Sequence, residues 1–138
     1  MGMKDIGQGI KTRLDTIHDL KVYAIDELPD SVNQFPAALI MPGETEYTTT
    51  FDPHDADYNF RVILLFSKAD QPSAINRMLP YLAVSGERSI VEAIHEEDTL
   101  DGSADSSKVT RNLGIGSLIW GNTTYLSTEF TVQVWAND

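Results

Sequence analysis

Residues 48–60 read TTTFDPHDADYNF, and they hold the densest group of chemically capable side chains in the chain. His54 stands among Asp52, Asp55 and Asp57, an imidazole with three carboxylates. Nitrogen and oxygen donors of these types bind divalent cations, and their proton affinities suit acid–base work. The spacing is less favourable. D-x-H-D-x-D fits neither a helical ligand pair nor a calcium loop, and Pro53 prevents helical presentation. Two readings follow: a solvated acidic turn with His54 exposed, or a small metal-dependent enzyme using Asp52, His54, Asp55 and Asp57. The pattern favours the turn.

Other chemical groupings are weaker. DTLDGSADSSK (98–108) has three aspartates and a glycine but not the D-x-D-x-D-G order of a calcium loop. HEED (95–98) is not H-E-x-x-H, so a zinc-protease motif is absent there. His18 reads as a helix-end cation as readily as a base. GIG (114–116) suits a strand bulge better than a phosphate cradle. No G-x-S-x-G, Walker or dinucleotide-binding glycine pattern occurs. The sequence therefore assigns no catalytic, metal-ligating or cofactor-binding residue.

The elements that must carry these residues belong to 138 residues, a length suited to one domain over 1–138. There is no cysteine, which excludes disulfides, thiolate metal sites and a cysteine nucleophile. Net charge is −11, and the ten Lys and Arg are scattered singly. A tight nucleic-acid binder needs a basic face, so tight DNA binding is not expected, while lying close to DNA without sticking is allowed. No apolar run approaches the roughly 20 residues of a membrane helix. MGMKDIGQGI lacks the apolar core of a secretory signal. These features lead us to expect a soluble cytoplasmic protein.

Ile6, Ile10, Leu14 and Ile17 form one helical stripe within 4–18, weakened at Gly7 and Gly9. LKVYAI (20–25) reads as a short strand, and ELPDSVNQFP as a loop. AALIM (37–41) suits a strand buried on both faces, and ETEYTTT (44–50) an exposed one. In 58–67, Tyr58, Phe60, Val62, Leu64 and Phe66 share a face. The opposite face turns apolar at Ile63 and Leu65, so this strand runs into the middle of a sheet.

Residues 71–83 predict a helix with an Ile75, Met78, Leu79, Leu82 stripe, disturbed by Pro80. Residues 85–98 predict a second, with Ser85 as N-cap. Gly121-Asn122 marks a hairpin, followed by an alternating strand through Phe130, Val132 and Val134. Strands arrive in runs rather than as repeated βαβ units. The expected fold is α+β: a mostly antiparallel sheet with helices on one face, plus a protruding hairpin or loop arm.

Four segments together resemble the tail terminator and tail-to-head joining (neck) proteins of long-tailed double-stranded DNA bacteriophages. They are VYAIDELPDSVNQFPAALIMPGETEYTTTFD, YNFRVILLFSKADQPSAINRMLPYLAVSGERSIVEAI, DTLDGSADSSKVT and TTYLSTEFTVQVWA. The resemblance spans roughly 4–136. It implies a structural virion protein without enzyme activity: a homo-oligomeric ring, commonly a hexamer, capping the tail tube and joining it to the head. It implies a tail tube protein and a head-completion or connector protein as partners. Location would be the virion neck, after host cytoplasm during assembly, with no membrane and no cofactor. A head-closure or minor tail role in the same assembly is the nearest alternative. Six copies would carry six times −11, placing acids on lumen and rim, where they repel DNA phosphates within about 8 Å. On this reading Tyr47, Thr48, Thr50, Phe51, Asp52, His54, Asp55 and Asp57 form an interaction arm, not a reactive site. The acidic PHDAD turn stands where that family would place a more glycine-rich link.

Overall fold

A computed structural model describes residues 2–47, 55–68 and 72–137. Strand formation dominates because β-branched and aromatic residues alternate over long runs. The elements are α1 (Met3–Leu14), β1 (Lys21–Tyr23), β2 (Ala37–Tyr47), β3 (Asp55–Lys68), α2 (Ile75–Leu82), α3 (Ile90–His95), β4 (Ser106–Trp120) and β5 (Thr123–Asn137). A short 3-10 turn, Pro72–Ala74, leads into α2. The five strands form one sheet in the order β1-β2-β3-β5-β4. Only β1–β2 is parallel; the other three pairings are antiparallel. The protein is therefore α+β.

β3 is the central strand, as its change from one-sided to two-sided apolar patterning requires. Phe60, Val62, Leu64 and Phe66 face the main core with Ile40, Phe130, Val132 and Val134. The helices close that face: Ile6, Ile10 and Leu14 of α1, Met78 and Tyr81 of α2, and Ile90 and Ile94 of α3 are all buried there. Ile63 and Leu65 point the other way, into a smaller cluster with Val32, Ala37, Leu39 and Tyr125.

The smaller cluster is roofed by the loop between β1 and β2 rather than by a helix. Trp120 Nε1 donates to the Pro29 carbonyl at 2.8 Å. The Tyr125 hydroxyl donates to the Val32 carbonyl and accepts from the Val32 N–H, both at 3.3 Å. The Phe35 and Tyr125 rings lie 5.9 Å apart. The roof rests on the β4–β5 hairpin, whose turn residues have positive φ, 56° at Gly121 and 69° at Asn122. Both central residues at positive φ are what a two-residue turn matched to strand twist demands.

Three local expectations shift. The first helix ends at Leu14, and Ile17 follows in a turn but is still buried. Helix α2 buries Met78 and Tyr81 with Ala74 just before it, leaving Ile75 and Leu79 exposed. Phe66, edge-to-face with Tyr81 at 5.2 Å, fixes this rotation. The second cap is Ser89, not Ser85: its hydroxyl accepts from the Glu92 N–H at 3.1 Å, and α3 begins one residue later. Gly7 and Gly9 have a packing reason. A methyl at Gly9 would stand 2.8 Å from Ser103 Cβ and 2.9 Å from the Leu100 carbonyl oxygen, so the missing side chain lets α1 lie on the loop after α3. Among the described residues no helix is long and apolar enough to cross a membrane.

Candidate interaction surface

The arm singled out from the sequence grows out of β2 and β3. Past Pro42 the β2–β3 pairing shifts register and continues as Thr45↔Tyr58, Glu46↔Asp57 and Tyr47↔Ala56. Tyr47, at its described end, is exposed. Thr48, Thr50, Phe51, Asp52 and His54 lie outside the described residues. The backbone of Asp55 opens β3 opposite Asn137, and Asp57 sits between Glu46 and Trp135. The structure therefore places the backbones of Tyr47, Asp55 and Asp57 at the facing ends of β2 and β3, with Tyr47 opposite Ala56 and Asp57 opposite Glu46. Among the described residues no three His, Asp or Glu side chains converge as a metal site.

Glu46 directly opposite Asp57 is electrostatically unfavourable, since like charges face each other across a strand pair. The base of the arm is thus acidic and suits a cationic surface. Further along the helix-free face, Arg61 compensates Glu129. Its Nε and Nη2 donate to the two carboxylate oxygens at 3.1 and 2.8 Å. That two-pronged hydrogen bonding raises the Arg61 pKa above its ordinary value, against the lowering effect of partial burial.

Sequence patterning missed the second surface, the outer edge of the sheet. β4 pairs with β5 on one side only, and its residues are mostly exposed from end to end. Leu113, Ile115 and Ile119 present apolar side chains there, Ile119 at 73% exposure. The strand is broken by register shifts between Val109 and Arg111 and between Asn112 and Ile115. Gly114, at φ 87°, lies within the second, and its N–H is bound by Asn112 Oδ1 at 2.9 Å. The GIG segment is therefore a bulge, as its glycines suggest. The signal for the open edge was the repeated apolar residue between polar ones in NLGIGSLIW, which reads equally as a buried strand.

In chemical terms these surfaces offer unsatisfied strand edge, apolar contact and localised acid, which are means of association. No protein-family model matches the chain, and no curated protein is significantly similar to it.

Proposed function

We propose that the chain is a structural virion protein, a tail-terminator subunit that forms a ring on the head-proximal end of a phage tail tube and joins it to the head. The observation that carries this reading is the pairing of an open, apolar-studded β4 edge with an acidic strand arm on one small α+β body. One sheet face is closed by helices, while both β elements remain available to neighbours. Edge pairing supplies main-chain hydrogen bonds, and the apolar side chains supply area. The resemblance in the four sequence segments supports the same conclusion. On this reading the partners are further copies of the chain, the tube protein and a head-completion protein, and no cofactor or bond-making step is required.

The test is electron microscopy of tails assembled with and without the chain. Uniform tubes carrying a ring at one end, and overlong tubes when the chain is omitted, are the expected results. Tubes of unchanged length together with a chain that never sediments with them would reject the assignment. Placement of the ring in another virion layer would assign it to head closure or the minor tail components instead.

A further inference from the structure

The sheet has two open strand borders of opposite charge. β4 is one: it carries Lys108 and Arg111 and no acid in its 15 residues. The other is the outer side of β2. There β1 covers only Ala37, Ala38 and Leu39, and among the described residues no strand pairs with that side over 42–47. This stretch carries Glu44 and Glu46 and no base. Pro42, which has no N–H to offer, suits a border strand. Lys108, Arg111, Glu44 and Glu46 are all exposed. Among the described residues none of the four has an opposite charge within ion-pair distance.

The four side chains project to one side of the sheet. Val109 packs against the main core, so Lys108 before it points to the helix-free face. Tyr58 packs there too, so Asp57 and its partner Glu46 point the same way as Lys108. Glu44 and Arg111 line one hollow of about 390 Å³ on that face, with Asn59, Arg61 and Glu129. The two borders also match in level. Lys108 is opposite Gln133, and Gln133 is opposite Asn59. The β2 bulge that holds Gly43 and Glu44 lies against Asn59. One row further, Ser106, Trp135, Asp57 and Glu46 are aligned. They match in direction as well: β3 and β4 are both antiparallel to β5, and β2 is antiparallel to β3, so β2 and β4 run oppositely. Within one copy the borders stand three strand spacings apart, about 14 Å, and cannot satisfy each other.

We infer that β4 of one copy pairs antiparallel with the outer side of β2 of a second copy, residues 106–111 against 42–47. Lys108 then stands opposite Glu44 and one diagonal step from Glu46, and Arg111 stands one diagonal step from Glu44. The main-chain groups of both borders supply the ladder, and the charges set partner and register. This deepens the ring reading and rests on it for closure. Opposite margins of one sheet meet, so the contact is head-to-tail, and such a contact closes into a ring when the rotation per copy allows.

The test uses two full-length variants, one with Lys108→Glu and Arg111→Glu, the other with Glu44→Lys and Glu46→Lys. Circular dichroism first establishes that each is folded. In sedimentation the unchanged chain should associate, and each variant alone should associate at least tenfold more weakly. An equimolar mixture of the two should regain the lost affinity, because each reversed border then meets its opposite. Self-pairing of one border predicts something else, since the variant reversed at the other border would then associate normally alone. The absence of native cysteine allows a second readout. Glu44→Cys with Lys108→Cys in one chain should give a ladder of covalent oligomers on mild oxidation, and neither substitution alone should. About 14 Å is too far for a bridge within one copy. A monomeric unchanged chain, variants that associate normally alone, a mixture that stays apart, or a double-cysteine chain without a ladder overturns the pairing. The ring assignment is then left to the tube-capping experiment, whose own failure is seen separately as uncapped tubes.

Discussion

Replacing Gly121 by alanine isolates the contact that holds the roof loop on the sheet. Two costs add. At φ 56° an L-residue is in the left-handed region, which costs about 1–2 kcal/mol. The new methyl would also press on the Asp30 carbonyl oxygen and stand 3.2 Å from its carbon. A backbone atom cannot rotate away, so loop or hairpin must shift, with an overpacking cost of about 1–3 kcal/mol. The sum is about 2–5 kcal/mol. For a chain of this length 1 kcal/mol corresponds to about 3–4 °C, so the melting temperature should drop by roughly 6–20 °C. Gly114→Ala is the control. Its φ is 87°, but no atom lies within 4 Å of the new methyl, so only the first cost applies, about 1–2 kcal/mol. Calorimetry of the two variants decides the matter. If Gly121→Ala melts no lower than Gly114→Ala, the Asp30 carbonyl does not press on the turn, and the account of how the second face is covered fails.

Four further outcomes are expected. Leu64→Ala and Phe130→Ala, both in the main core, should each lose about 2–5 kcal/mol in denaturant titrations through cavity formation. Ser89→Ala should lose about 1 kcal/mol in the same assay by uncapping α3, whereas Ser85→Ala should be close to neutral. Glu46→Lys, opposite Asp57, should stabilise by about 0.2–1 kcal/mol at low salt, a gain that added salt reduces. Elemental analysis of the purified protein should find no stoichiometric divalent metal, and His54→Ala should leave the melting temperature unchanged. Bound metal lost with that substitution would instead favour the metal-dependent enzyme.

The long strands were legible because their patterns admit one solution. Asn59 and Arg61 next to Ile63 and Leu65 require a strand entering the sheet interior, and β3 is there. Asn122 after Gly121 fixed the hairpin, since few residue pairs accept two positive φ values. Helix α2 was not legible because apolar residues occur on more than one side of it, so periodicity alone leaves its rotation open. Contact with Phe66 decides it. The α3 cap is legible in the capping-box spacing: Ser89 is followed three residues later by Glu92, while Ser85 is followed by Arg88. The arm reads from the sequence as an acidic interruption between strands; five of its eight named residues fall outside the described part, and Tyr47, Asp55 and Asp57 lie at the facing ends of β2 and β3. The match between the two sheet borders could not be read at all. Glu44, Glu46, Lys108 and Arg111 come from separate stretches that only the strand order sets at opposite margins.

The two register shifts in β4 have a consequence for self-association. A straight border of fifteen residues with Leu113, Ile115 and Ile119 along it would template layer upon layer of added strands, the route to fibres. The bulges bend that border into short facets that do not share one line of hydrogen-bonding groups. Any newcomer can therefore zip against only a few residues before losing register. Growth by this route stops itself, and a sticky rim is kept from becoming a seed for aggregation.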